Sequence, residues 1–151
     1  MADEPHNYSQ ADAASELMEK VFLLKGIPLF SKMSAEQLLP VAEIVSEEEY
    51  ESGEIVFQEG DPGDVLYLVT SGSVEVVRQE KRLALLGASE CFGDMAMLDQ
   101  EVRSATIRVV DPVTLFAIAR EDFLDLLDLY PALAKSVIGV LIGRLRGATA
   151  G

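Results

Sequence analysis

The sequence predicts a mainly β fold of the α+β class: an antiparallel β-roll of jelly-roll type flanked by N-terminal and C-terminal helices. Short β-rich runs separated by glycine turns fill the middle of the chain, whereas the apolar residues on either side recur with helical spacing. A length of 151 residues suits one domain with a sizeable core. Many short strands with glycine turns are typical of an antiparallel barrel or sandwich, so we expect the order helices, β-roll, helices.

Two helices are predicted at the start of the fold. The first spans residues 12–25 and stops at Gly26, because glycine commonly follows the last helical residue. The second begins after a capping box formed by Ser34 and Gln37. Pro40 lies inside this second helix and removes one backbone hydrogen bond, so the element should be kinked or very short.

The β-roll is predicted to follow residue 46. Its β-rich runs are residues 54–57, 65–69, 73–77, 83–86, 104–110 and 113–118. Turn residues separate the runs, among them Gly60-Asp61-Pro62-Gly63 and Ser71-Gly72. The acidic run at residues 47–49 is interpreted as a solvated strand edge.

Two more helices are predicted after the roll, one at Arg120–Leu129 and one from Pro131 to about Arg146. Proline is favoured at the first position of a helix. The apolar stripe of the last helix, from Leu133 to Leu145, is larger than one helix usually buries on a small roll. This stripe favours a homodimer.

We assign residues 12–146 to the folded domain, residues 1–11 to a mobile tail or linker, and residues 147–151 to a second mobile tail. The N-terminal residues are polar and acidic and do not resemble a signal peptide. The most apolar stretch, residues 137–142, is far shorter than the roughly 20 residues that span a membrane. We therefore expect a cytoplasmic protein with no membrane insertion.

The charge and the scarcity of reactive residues exclude several classes of function. With 26 acidic and 12 basic residues the net charge is −14, which opposes nucleic-acid binding because that affinity comes mainly from neutralising phosphates. Cys91 is the only cysteine and is expected to be a buried small hydrophobe. His6 is the only histidine, so neither a clustered metal site nor a serine–histidine pair can form. We expect no metal and no enzymatic activity.

The run at residues 92–98 and the arginine after it predict a site for a small phosphorylated ligand. Gly93 lets the backbone approach a ligand closely, and the next residues suffice for one helical turn whose free N–H groups attract an anion. Arg103 offers a planar fork of donors to phosphate oxygens, and Ser104 adds a hydroxyl. The Asp94 carboxylate is suited to a sugar hydroxyl. Phosphate and sugar together indicate a nucleotide.

The full run, FGDMAMLDQEVRSATI, resembles the phosphate-binding cassette of the cyclic nucleotide-binding domain family. The family pattern is Phe-Gly-Glu-x-Ala-Leu, a short spacer, then Arg-(Ser/Thr/Ala)-Ala. The upstream run GDPGDVLYLVTSG is similar to the turn and strand that precede the cassette in the family. The resemblance covers roughly residues 20–146. It implies a regulatory module that binds cAMP or cGMP, with no other cofactor, and relays binding through its C-terminal helices.

The resemblance also implies roles for individual residues. Arg103 would pair with the exocyclic oxygens of the cyclic phosphate. The other positions around ribose and phosphate are Gly93, Asp94, Met95, Ala96, Ser104 and Ala105. Val76 and Leu83 are candidates for apolar walls against the purine, with plain core packing as the alternative. Arg144 could reach the base or remain a solvated helix arginine.

Four departures from the family pattern bear on binding. Asp94 stands where the family has a glutamate that accepts a hydrogen bond from the ribose 2′-hydroxyl, and its carboxylate reaches about 1.5 Å less far. Val102 replaces a common proline, and Ser89 replaces a usual glycine. The final helix, which covers the base in the family, is expected to be short, and a DNA-reading module is not expected. We favour cAMP over cGMP on family frequency. The alternative is a protein-interaction module on the same fold that has lost its ligand, with an output domain elsewhere or a homodimer as the partner.

Overall fold

A computed structural model describes residues 10–93 and 102–150 of the chain. Helix α1 spans Gln10–Lys25, a short 3-10 helix follows at Pro28–Phe30, and helix α2 spans Ala35–Ile44. The predicted capping box is confirmed: the Gln37 amide donates to Ser34 Oγ at 3.1 Å, and the Ser34 amide donates to Gln37 Oε1 at 3.0 Å. The helix continues through Pro40 for 10 residues in all.

The strands form an antiparallel sheet that closes into the predicted roll. They are β1 (Ser46–Tyr50), β2 (Ile55–Phe57), β3 (Val65–Arg78), β4 (Lys81–Leu86), β5 (Cys91–Phe92) and β6 (Thr106–Ala119). Their main order is β1-β6-β3-β4, with β2 also paired to β6 and β5 to β3. The acidic run at residues 47–49 lies in β1, at one end of this order, as predicted for a strand edge. The predicted fold class is confirmed.

Strands β3 and β6 are each 14 residues long, whereas the sequence predicts two short strands in each place. The predicted turn at Ser71-Gly72 is wrong. The pairing of β3 with β6 continues past it by shifting register between Val69 and Val74. A Cβ on Gly72 would overlap the Pro112 carbonyl and lie 2.7 Å from the Val113 α carbon, so the glycine allows two strands to approach closely.

Two helices follow the roll, α3 at Arg120–Leu129 and α4 at Pro131–Ala150. The bounds of α3 match the prediction. Helix α4 continues beyond the predicted end near Arg146, because one glycine inside a helix costs only about 1 kcal/mol relative to alanine and does not force a stop. Within the described ranges no single helix is long and apolar enough to cross a membrane. Helix α3 and residues 131–143 of α4 reach that length and apolar composition only when taken together, and the two are bent by 116° relative to each other.

Two buried apolar clusters share the strands. The helix-side core lies between the helices and one face of the sheet, and it includes Leu24, Phe30, Leu38, Leu66, Leu68, Phe116, Ile118, Phe123 and Leu133. The roll interior lies on the other face and includes Tyr67, Val69, Val74, Phe92, Ile107, Val109, Val113 and Leu115. Because side chains alternate along a strand, β3 supplies both clusters. Cys91 is buried in the helix-side core, as predicted.

A buried carboxylate ties the strands together in the second half of β3. Glu75 is 8% exposed and accepts from Arg82 Nε at 2.9 Å and from Arg108 Nε at 2.5 Å. Arg108 is its register partner on β6, while Arg82 comes from β4. The hydrogen bonds from Arg82 and Arg108 lower the pKa of the Glu75 carboxyl.

Candidate functional site

Arg103 is buried at the site predicted for the phosphate. Only 5% of its surface is exposed. Its Nη2 donates to the Val65 carbonyl at 2.8 Å, and its Nη1 donates to the Gly93 carbonyl at 3.1 Å. Its Nε is buried and has no hydrogen-bond partner among the described residues. The guanidinium is therefore fixed in direction by two of its five N–H donors, and Nε is its one nitrogen without a partner among the described residues.

An aromatic cluster supports the guanidinium. Cζ of Arg103 lies 4.0 Å from the centroid of the Phe57 ring. Phe57 in turn packs on Tyr67 and Phe92, with ring centroids 6.0 and 5.8 Å away, and these two rings stack at 5.1 Å. Burial lowers the pKa of the Arg103 guanidinium, and nearby Tyr67 opposes this effect. The guanidinium is nonetheless charged at neutral pH, as arginine is throughout proteins.

The loop between β2 and β3 holds the backbone of Arg103. The Arg103 amide donates to the Asp61 carbonyl at 2.7 Å, and the Arg103 carbonyl accepts from the Gly60 amide at 2.8 Å. Pro62 and Val102 form a further antiparallel bridge. The predicted turn Gly60-Asp61-Pro62-Gly63 thus connects two strands and also holds the end of the cassette through backbone hydrogen bonds.

Position 93 has no room for a side chain, because Arg103 and the Val65 carbonyl both lie close to its α carbon. Its φ is +87°, a conformation that residues with a side chain rarely adopt. A Cβ at this position would lie 2.8 Å from Arg103 Nη1 and 2.9 Å from the Val65 oxygen. The sequence predicts that this glycine admits a ligand; in the structure its missing side chain admits Arg103.

The structure places the other described candidates around this centre. Ser104 is exposed, and its carbonyl accepts from Arg78 Nε at 2.9 Å, while Ala105 is buried beside it. Val76 packs against the roll interior. Leu83 is 52% exposed, on β4 where the pairing with β3 shifts register, and so it is not part of either buried cluster.

Four candidates cannot be placed at the level of side chains. Asp94, Met95 and Ala96 lie outside the described residues, as does the remainder of the cassette up to residue 101. Arg144 lies in α4, and its side chain is outside the described part. Within residues 10–93 and 102–150, no group of three or more His, Cys, Asp or Glu is arranged to hold a metal ion.

Two contacts of the site have no signal in the motif that predicts it. The Val65 carbonyl binds Arg103 through the backbone, which any residue provides. Phe57 lies in a short strand far from the cassette in sequence, and its aromatic side chain alone does not distinguish a core residue from one that contacts a cation. A search for aromatic residues at the end of the strand before the Gly60 turn would have identified Phe57.

Comparison with known proteins shows the family to which the chain belongs. Residues 47–130 match the family described as "Cyclic nucleotide-binding domain". The chain is 39% identical over 130 residues to the cyclic AMP receptor protein of Thermus thermophilus, covering 83% of this chain and 60% of that protein. A crystal structure of the Thermus thermophilus catabolite activator protein aligns with a TM-score of 0.76 at 38% identity, over 82% of this chain and 60% of that one.

A eukaryotic protein kinase is similar to this chain over a small part of its own length. The cGMP-dependent protein kinase of Plasmodium berghei is 31% identical over 96 residues, which is 64% of this chain and 11% of the kinase. The chain thus spans 60% of the receptor protein and a small part of the kinase. With the matched segment covering more than half of its residues, the chain belongs to the cyclic nucleotide-binding domain family.

Proposed function

We propose that this domain binds a 3′,5′-cyclic nucleotide, cAMP in preference to cGMP, and relays binding through its C-terminal helices. The observation that carries the proposal is the buried guanidinium of Arg103, fixed at the cassette position with Nε unused. A charged donor in a desolvated site forms short, strong hydrogen bonds to phosphate. The local cation outweighs the net charge of −14, since a small ligand responds to the field of its own site.

The relay is supported by two consecutive carbonyls at the start of β3. The Val65 carbonyl accepts from Arg103 Nη2 at 2.8 Å. The adjacent Asp64 carbonyl accepts from the amide of Arg120, the first residue of α3, also at 2.8 Å. Ala119, directly before α3, pairs with Val65 in the sheet. A phosphate that draws the guanidinium away from Val65 would act on the strand end to which α3 is attached, and a shift of populations follows if the two states differ in ligand affinity.

The preference for cAMP is supported by the receptor protein, the more similar of the two relatives described above. A hydroxyl at Ser104 could also meet the amino group of a guanine base, so both nucleotides belong in the test. No cofactor other than the nucleotide is part of the proposal, and neither is a catalytic step, since the family is a binding domain. We place its action in the cytoplasm on composition.

The output is proposed to lie in a further domain or in a second copy of the chain. Leu133 and Val137, from the stripe predicted to form a homodimer, are buried in the helix-side core of the same chain. Among the α4 side chains that the structure describes, the large apolar residues left exposed are Ile138 and Ile142, at 56% and 43%. If α4 mediates association, these two residues carry it.

Isothermal titration calorimetry with cAMP and with cGMP tests the proposal. The wild-type chain should release or absorb heat on binding, and Arg103→Ala should abolish it. Arg82→Ala is the matched control, because the Arg82 guanidinium binds the Glu75 carboxylate rather than any residue around Arg103. Absence of heat with both nucleotides at millimolar concentration would overturn the proposal.

A second candidate function is a protein-interaction module that has lost its ligand. It is favoured by one observation in addition to Asp94: both Nη groups of Arg103 already bind protein carbonyls, so the arginine is largely satisfied without a phosphate. A ligand has to compete with these two hydrogen bonds or use the N–H groups that they leave, which are Nε–H and one on each Nη. The two candidates differ in the outcome of the calorimetry and in the response to Asp94→Glu described below.

A further inference from the structure

We infer that Phe57 is a positioning residue for the phosphate-binding arginine, holding the Arg103 guanidinium through a cation–π contact. This inference rests on the proposed function. The ring centroid lies 4.0 Å from Arg103 Cζ, well within the distance at which a guanidinium is attracted to an aromatic face. In the part of the chain that the structure describes, no other aromatic ring makes a cation–π contact with this guanidinium.

The contact compensates for a specific cost. Arg103 is 5% exposed, so its charge has left water, and its in-plane hydrogen bonds use only the two Nη groups. Nε has no partner. Desolvation of a charge is unfavourable unless other interactions replace the lost water. The electron-rich face of Phe57, whose centroid lies 4.0 Å from Cζ, supplies such an interaction without using a hydrogen-bond donor.

Phe57 is itself held in place. It pairs in register with Ile107 on β6, and its ring contacts Tyr67 and Phe92 from β3 and β5. Three strands therefore determine the position of the ring, and the ring determines one side of the guanidinium. Because Phe57 covers one side of the guanidinium, a phosphate has to approach Arg103 from another side. Preorganisation of this kind raises affinity by lowering the cost of ordering the side chain.

The first test uses the protein without ligand and reads the contact directly. Proton–nitrogen NMR of arginine side chains should show the Arg103 guanidinium protons shifted upfield by the ring current of Phe57, with the signal assigned by its loss in Arg103→Lys. The shift should vanish in Phe57→Leu and persist in Phe57→Tyr. Phe123→Leu is the matched control, the same change at a buried ring of the helix-side core outside the aromatic cluster, and it should keep the upfield position.

The second test measures affinity for cAMP and for adenosine, which lacks the phosphate. Phe57→Leu should weaken cAMP binding roughly 2- to 30-fold, the range that a cation–π contact corresponds to. Adenosine binding should not change, because a residue that acts through the arginine affects only the phosphate. Phe57→Tyr should bind cAMP as the wild type does. A merely structural role for Phe57 would weaken both ligands together.

The outcomes separate this inference from the proposed function. An unshifted Arg103 signal in the wild type, or equal losses for cAMP and adenosine in Phe57→Leu, overturns the inference and leaves cyclic nucleotide binding intact. A shifted signal in a wild-type chain that binds neither cAMP nor cGMP overturns the proposed function and, with it, the role of Phe57 in phosphate binding. Thermal unfolding of each variant verifies that the comparison is made on folded protein.

Discussion

Gly93 and Arg103 are in such close contact that a Cβ on the glycine would lie 2.8 Å from Nη1, the atom that donates to the Gly93 carbonyl. Gly93→Ala should therefore displace the guanidinium and also strain the backbone, where φ is +87°. We expect a stability loss of about 1–3 kcal/mol from the backbone alone, measured by urea unfolding. Cyclic nucleotide affinity should fall at least about tenfold, as expected when a charge-assisted hydrogen bond is lost.

Gly53→Ala is the control for this prediction. Gly53 has a φ of +88°, nearly the same as Gly93, yet a Cβ there would have nothing within 4 Å. The variant should lose comparable stability from backbone strain and keep the wild-type affinity. Equal affinities for the two glycine variants would show that the contact with Arg103 is unimportant for binding.

Asp94→Glu tests whether the site is weakened by the short carboxylate. A glutamate reaches about 1.5 Å further and restores the group that accepts from the ribose in the family pattern. Affinity for cAMP should rise, by up to the 10- to 150-fold that a charged hydrogen bond of about 1.5–3 kcal/mol supplies. Titration calorimetry measures it, with Asp99→Glu as a control for an added methylene in the same segment. An unchanged and undetectable affinity would favour the interaction module.

Glu75 should make the stability of the fold depend on pH in the acidic range. Arg82 and Arg108 lower the carboxyl pKa in the folded state. The ion pairs therefore stabilise the fold fully above the pKa of the unfolded chain, about 4.3 for glutamate. As pH falls below that value and through the lowered folded pKa, the stabilisation is lost, because the unfolded state binds the proton more readily.

The measurement is the urea midpoint as a function of pH. Glu75→Gln should be less stable than the wild type at neutral pH, and the difference should shrink toward low pH. Glu47→Gln replaces an exposed glutamate of β1 and serves as the control. A constant difference between Glu75→Gln and the wild type across the acidic range would contradict the assignment.

The association state should depend on α4. If the domain forms the proposed homodimer, light scattering should give twice the mass of one chain, and the double change Ile138→Ser with Ile142→Ser should return it to the monomer. Leu129→Ser removes a more exposed apolar residue, at 67%, from α3 and should leave the mass unchanged. A monomer mass for the wild type at working concentration would remove the homodimer.

Local signals sufficed to predict the fold class and most helix boundaries. The capping box at Ser34 and the proline at the start of α4 act within one turn, and both helices begin where these residues predict. The long strands could not be predicted in the same way. Gly72 has the residue type of a turn, but its role depends on how closely Pro112 approaches from another strand.

The candidate site was predictable to a similar extent. Gly93 and Arg103 belong to one predicted cassette and are in contact in the structure. The hydrogen bonds between the Gly60 turn and Arg103 were not predicted, because they join segments far apart in the sequence. Phe57 was missed since its contact depends on the tertiary fold. The wall residues were also hard to predict. Val76 and Leu83 have similar side chains, yet Val76 packs on the roll interior whereas Leu83, like Leu85 two residues on, is 52% exposed.

The two faces of the sheet pack in two separate apolar clusters. Leu66 and Leu68 attach the helices to it, whereas Tyr67 and Val69 seal the interior of the roll. Detaching the helices would expose the first pair without opening the second. Amide hydrogen exchange should accordingly divide the molecule into a slowly exchanging β-roll and a faster helical layer. The helices could then move relative to a roll that keeps its own interior intact, which is the motion that the proposed relay requires.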